Sequence, residues 1–183
     1  MPNASQAYFI PSALPDSIAT IHEPVVAGTD GQPQVGLGPQ IVVFNTTVGL
    51  QFDDATDKIY RWFRIPNNYV SGSAQMHIHW TKFADLNAQG TTVRWRVSYV
   101  DVNGRDEDIA LVAPTVIDLD DTYEDASVDG TRIVYATPNL ALPDIDERSY
   151  IGFCVEFVPA GTTLTSDPVL ISADLVYQAY INK

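Results

Sequence analysis

With a single cysteine, Cys154, among its 183 residues, the chain has no intrachain disulfide and no thiolate cluster to hold a metal. Cys154 lies in the apolar run YIGFCVEFV and reads as a small packing residue. Long apolar runs are also missing, and no stretch approaches the roughly 18 residues of a membrane-spanning helix. The opening MPNASQAYFIPSALP has neither the basic start nor the apolar centre of a signal peptide. These absences predict a soluble protein made in the cytoplasm. Basic residues are scarce: ten lysines and arginines stand against 23 acidic residues, for a net charge of -13. A surface this negative repels phosphate backbones and anionic bilayers, so neither nucleic acid nor membrane is expected as a partner. Helical periodicity is absent too, since no segment carries an amphipathic stripe four turns long.

What the chain does have is 45% hydrophobic residues, enough to build a core rather than a disordered coil. Residues 1–40 hold Pro2, Pro11, Pro15, Pro24, Pro33 and Pro39, half of the chain's twelve prolines. Proline fixes φ and removes a donor, so this segment predicts neither helix nor central strand. It also carries Tyr8, Phe9, Ile10, Ile18 and Ile21, which a solvated linker does not need. It reads as an extended arm lying on its own domain or on a neighbouring subunit, with residues 41–183 forming the domain proper.

From residue 41 the texture is short runs of period two, rich in β-branched and aromatic residues. KIYRWFRIP sets Ile59, Arg61, Phe63 and Ile65 against Tyr60, Trp62 and Arg64. QMHIHWTKF sets Met76, Ile78 and Trp80, expected to face inward, against Gln75, His77, His79 and Thr81. TTVRWRVSYVDV and SYIGFCVEFV alternate in the same way. Turn chemistry brackets the runs at NNYVSGS, ADLNAQG, VNGRDED, PAGTT and SDP, with Asn103-Gly104 reading as a two-residue hairpin turn. DDTYEDASVDG reads as an acidic loop without a core stripe. About eight antiparallel strands predict an all-β, two-sheet antiparallel sandwich, with a jelly roll as the leading version and another Greek-key sandwich second.

The residues that suggest chemistry are few. His77 and His79, two apart on one strand, project from the same face and could supply two metal ligands. A first-row metal wants three or four, and the only other histidine is His22. Against the cupin pattern, four residues rather than five separate Gly72 from His77, no glutamate follows at the required place, and no histidine occurs after His79. The plainer expectation is a polar strip on an outer sheet face, beside Arg94 and Arg96 of the next run. An intermediate reading brings the pair from several subunits together at a symmetry axis, where copies complete the ligand set. No serine lies in a G-x-S-x-G elbow. DLDDTYEDASVD resembles a loose Ca²⁺ loop but lacks the order and closing glutamate of an EF-hand. Tyr60, Trp62 and Tyr69 are candidates for stacking on a sugar, against the commoner role of packing.

Residues 59–102 carry a family resemblance. A strand ending in Pro66, an H-x-HW strand with His77, His79 and Trp80, and a strand with Val93-Arg94-Trp95 followed by Tyr99 resemble a group of bacteriophage and prophage virion structural proteins. The resemblance implies a β-sandwich component of the particle, often trimeric, and brings no catalytic residues. The leading expectation is therefore a capsid decoration (cement) protein on the outer surface of the virion. It would be a homotrimer that binds the major capsid protein, anchored by Tyr8, Phe9, Ile10, Ile18 and Ile21. The alternative is a tail-fibre or spike domain that binds a host glycan. A cupin-like metal-dependent enzyme comes last, so neither an enzymatic activity nor a cofactor is expected.

Overall fold

The computed structural model describes residues 18–27, 39–44, 47–83, 89–102, 113–124, 135–136, 140–142, 145 and 150–180. Among them are eleven strands and no helix. They are β1 (Ile18–Ala27), β2 (Gln40–Phe44), β3 (Thr47–Gln51), β4 (Lys58–Arg64), β5 (Gln75–Lys82), β6 (Thr92–Val102), β7 (Thr115–Thr122), β8 (Tyr135–Ala136), β9 (Leu140–Ala141), β10 (Tyr150–Phe157) and β11 (Pro168–Tyr180).

All pairings are antiparallel, in two sheets. In the first, β11 is flanked by β5 on one side and by β1 on the other, and β8 and β9 pair in turn with the outer edge of β5. The β2–β3 hairpin joins the early part of β11 through Val169 and Leu170. The second sheet runs β4–β10–β6–β7. From β4 to β6 and from β7 to β11 the chain alternates between sheets. With β8 and β9 sharing one position, this is an eight-position jelly roll with one added hairpin. The sandwich and its jelly-roll winding are as the strand count predicted.

The core lies between the sheets, filled mainly by the inward phases of β5, β6, β10 and β11. Met76, Ile78 and Trp80 of β5, Val93, Trp95 and Val97 of β6 and Ile151, Phe153 and Val155 of β10 are all buried. Aromatic edges lock it: Phe52 meets Trp95 edge-on at 5.2 Å between ring centroids, and Phe63 meets Phe153 at 6.0 Å. Trp80 bridges the sheets, since its indole N–H donates to Asp121 Oδ2 of β7 at 2.6 Å and its ring meets Tyr123 at 6.1 Å.

Two expectations change at this level, and a third lies outside the described residues. Residues 18–27, inside the segment read as an arm, form the first strand of the roll and pair with β11 from Ile18↔Tyr180 to Ala27↔Ser172. Pro24 is tolerated because β1 is an edge strand and the register slips between Pro24 and Val26, so no ladder donor is demanded there. The boundary at residue 40 thus falls within the sandwich. Next, DDTYEDASVDG is not all loop: it begins inside β7, and Tyr123 is a core residue. β6 and β7 pair, with Tyr99 opposite Thr115. Asn103 and Gly104, read as a hairpin turn, lie outside the described residues. Tyr8, Phe9 and Ile10 lie outside them as well. Ile18 and Ile21 pair through their backbones with Tyr180 and Tyr177.

The outer face of the second sheet carries ion pairs with a testable pH signature. Arg94 holds Asp120 through Nε and Nη2 at 2.6 and 2.7 Å, and Arg96 holds Asp118 at 2.6 and 2.8 Å. These bonds keep both carboxyls below the usual aspartate range. Burial pushes Asp57 and Asp121 the other way. The two arginine-paired carboxylates therefore favour folding above the unfolded-state aspartate range and lose that contribution as pH falls through their folded values. Asp57 and Asp121 bind protons more readily folded than unfolded, so their contribution weakens as pH rises through their window. In an NMR titration of side-chain carboxyls, Asp118 and Asp120 should have lower midpoints than Asp57 and Asp121, and Arg96→Ala should move Asp118 upward.

Candidate functional site

The outward phase of the second sheet is set by register. Gly152 of β10 lies between Trp62 of β4 and Val100 of β6, and Cys154 lies between Tyr60 and Ser98. One row further along, Glu156 lies between Lys58 and Arg96, and Arg96 opposes Asp118 of β7. At the other end Tyr150 lies between Arg64 and Val102. The face thus divides into an aromatic, apolar half and a charged half.

On the aromatic half, Tyr60 is 68% exposed and Trp62 and Tyr150 are each 50% exposed. The Trp62 indole lies over Gly152. A Cβ built on Gly152 would stand 3.0, 3.0 and 3.2 Å from three consecutive ring atoms, Cη2, Cζ2 and Cε2. Near-equal distances to three ring atoms mean that the ring turns its face, not its edge, to the sheet. Gly152 is therefore a floor that only glycine provides without displacing the indole. Beside the ring runs a groove of about 310 Å³, with Tyr60 and Trp62 along one side, Pro114 and Val100 along the other, and Ser98 and Cys154 lining it with Gly152. That volume is at the small end of ligand clefts.

The charged half is closed on itself. Lys58 Nζ lies 2.5 Å from Glu156 Oε2, Glu156 Oε1 lies 3.6 Å from Arg96, and Arg96 holds Asp118. Bonding to Glu156 raises Lys58 above its ordinary value, so the ammonium stays charged at the end of the groove. Arg64 at the far end stacks over the Tyr150 ring, 5.6 Å from its centroid. Burial, reinforced by Glu156, pushes the Cys154 thiol upward, which disfavours the thiolate and makes this a poor nucleophile.

Of the sequence-predicted residues, Tyr60 and Trp62 stand exposed together on this face. Tyr69 does not join them. It is 3% exposed, its hydroxyl accepts a hydrogen bond from the Ala74 N–H at 3.1 Å, and it packs edge-on against Tyr177. The chain turns after Pro66 and carries Tyr69 inward, so it is a core residue and not a stacking platform.

His77 and His79 lie on the outer face of the first sheet, as the alternation requires. Their neighbours are Asp174 and Ser172 of β11, not Arg94 and Arg96. The chain passes to the opposite sheet between β5 and β6, which puts the two arginines on the far side of the sandwich. Ser172 Oγ and Asp174 Oδ2 both approach His79 Nδ1, at 3.0 and 3.3 Å. A serine-histidine-acid relay needs its serine and its acid on opposite ring nitrogens, so this cluster is not one. No group of three or more histidine, cysteine, aspartate or glutamate side chains among the described residues is arranged to hold a metal. Of the acidic run, the described Asp118, Asp120 and Asp121 are engaged by Arg96, Arg94 and Trp80, and residues 125–129 lie outside the described residues.

Sequence reasoning missed Tyr150, Gly152 and the Lys58–Glu156–Arg96–Asp118 chain. The outward phase of YIGFCVEFV contained the signal. What it lacked was the pairing of β10 with β4, strands separated by more than eighty residues, and nothing local reports that register.

A jelly-roll sandwich with a solvent-facing aromatic groove on one sheet is the class of protein these features define. No family model matches the chain, and no curated protein matches it. Among solved structures it is similar to one described as "CBM4 structure and function", at 12% identity and a TM-score of 0.35, over 86% of this chain and 94% of that one. It is also similar to the enzymatically active domain of tailspike protein 4 of bacteriophage CBA120, at 15% identity and a TM-score of 0.29. That similarity covers 90% of this chain and only 18% of the tailspike chain. At such identities and TM-scores neither likeness bears on function.

Proposed function

We propose that this chain is a non-catalytic jelly-roll module of a bacteriophage particle that binds a host-surface saccharide through the outer face of its second sheet. The observation that carries the reading is the Trp62 indole, laid flat on Gly152 and half exposed beside a preformed groove. A pyranose ring has an apolar face of C–H groups and a rim of hydroxyls. It fits an aromatic face bordered by the Ser98 hydroxyl and the Lys58 ammonium. Placement on a virion rests on the resemblance over residues 59–102. The test is a glycan array of host surface saccharides probed with the purified chain: the reading expects saturable binding to a defined subset, and a blank array removes it.

A second reading, decoration of the capsid shell as a homotrimer contacting the major capsid protein, is favoured by β2, which among the described residues is the outermost strand beyond β3. Ile41 and Val43 there are 49% and 65% exposed, with no charge guarding the strand. An unguarded apolar edge suits a subunit contact. Imaging of labelled chain on virions separates the two: label over the whole shell supports decoration, and label at the tail or single vertices supports receptor binding.

A further inference from the structure

Resting on that reading, the geometry points to a narrower ligand class: we infer that the groove selects uncharged hexopyranose chains over acidic ones, with Gly152 acting as a positioning residue that sets the plane of Trp62. The first observation is charge. Lys58, Arg64, Arg94 and Arg96, four of the chain's ten lysines and arginines, project from this face together with the carboxylates Glu156, Asp118 and Asp120. A protein with a net charge of -13 has gathered four of its ten cations here and paired three of them with carboxylates. Lys58 and Arg96 share Glu156 and Asp118, Arg94 holds Asp120, and Arg64 lies on Tyr150.

At physiological salt, fields decay over about 8 Å, so these local pairs decide what the groove senses. The one cation lining the groove is Lys58, so a uronate or sialate carboxylate seated there must compete with Glu156 for it, and it approaches a protein that is negative elsewhere. A neutral sugar meets neither cost. Its hydroxyls can share the outer donors of Lys58 and Ser98 while its C–H face rests on the indole.

The second observation is the contact at Gly152. The three ring-atom distances of 3.0 to 3.2 Å leave no room for a methyl group without lifting the indole. A methyl group there would push the indole outward by a few tenths of an ångström and so shift the stacking surface, although no atom of residue 152 need touch the ligand. Tyr60, two residues before Trp62 on the same strand, presents a second ring roughly 7 Å away along the strand. Two adjacent sugar residues can therefore be engaged at once.

The experiment is a tryptophan-fluorescence titration of the full chain with cellohexaose, maltohexaose and mannohexaose as neutral probes and oligogalacturonate of matched length as the acidic one. At least one neutral probe should bind, with an affinity that hardly changes with ionic strength, and oligogalacturonate should bind at least about tenfold more weakly. Gly152→Ala should weaken neutral binding by about tenfold while the thermal unfolding midpoint stays close to wild type. Gly152→Ala placed in a Trp62→Ala background should cost nothing further, because the glycine acts through the ring. If Gly152→Ala lowers the midpoint sharply, alkylation of Cys154 on the groove floor replaces it as a readout: a bound neutral probe must slow the reaction in the wild-type chain. Oligogalacturonate binding as tightly as the neutral probes, or a strong salt dependence, overturns this inference and leaves the saccharide-binding reading standing. A full penalty for Gly152→Ala in the double variant overturns the positioning role. Failure of every probe, together with a blank host glycan array, removes both readings.

Discussion

Trp80→Ala should lower the free energy of unfolding by about 3–5 kcal/mol, the range for emptying a buried tryptophan site. The side chain is fully buried, fills the space between the sheets against Tyr123 and donates its indole N–H to Asp121 at 2.6 Å. Truncation leaves a cavity and also takes a hydrogen bond from a partly buried carboxylate whose charged form burial already disfavours. Shortening the neighbouring side chain does far less. His79→Ala removes a half-exposed contact with Asp174 and Ser172 and should cost no more than about 1 kcal/mol. Urea unfolding of the two variants beside wild type measures both. The contrast settles what the sequence HIHW contributes: its tryptophan is a keystone of the core, and its histidines face outward. Equal losses for the two variants would contradict that division.

The second large effect is on binding. Trp62→Ala should raise the dissociation constant for a bound saccharide by about thirtyfold or more, equivalent to roughly 2 kcal/mol, as expected of an aromatic anchor at the centre of a contact. Stability should change little, because Trp62 is half exposed and packs on a glycine rather than in the core. Tyr60→Ala should cost less, since that ring is more exposed. Titration of each variant, with an unfolding curve as a control, separates loss of the platform from loss of the fold. A Trp62→Ala chain that binds as well as wild type would mean that the saccharide sits elsewhere.

Much of the architecture was legible because alternation of period two is a direct report of which side chains a half-buried strand hides. It placed Met76, Ile78 and Trp80 inside and His77 and His79 outside. It also set Tyr60 and Trp62 on the opposite face of β4 from Ile59 and Phe63. Turn chemistry was legible where backbone geometry demands glycine, as at Gly72 and Gly161, which have φ of 74° and 100°. The failures have physical causes too. Pro24 hid β1, because an edge strand with a bulge tolerates what a central strand cannot. Tyr69 resembled Tyr60 in composition, but it belongs to a turn, where alternation does not say which way a side chain points. Arg94 and Arg96 were assigned to the histidines because successive runs were treated as neighbours, whereas the jelly roll sends them to opposite sheets. The groove itself depends on β10 lying against β4, a long-range register that no local pattern encodes.

Ligand binding, as proposed, belongs to the outer face of the second sheet and not to the histidine face of the first. Amide chemical-shift mapping of the isotope-labelled chain, titrated with a saccharide identified on the array, tests this most directly. Shifts are expected to cluster at Tyr60, Trp62 and its indole N–H, Ser98, Val100, Gly152 and Cys154. Shifts centred on His77, His79, Ser172 and Asp174 would contradict it.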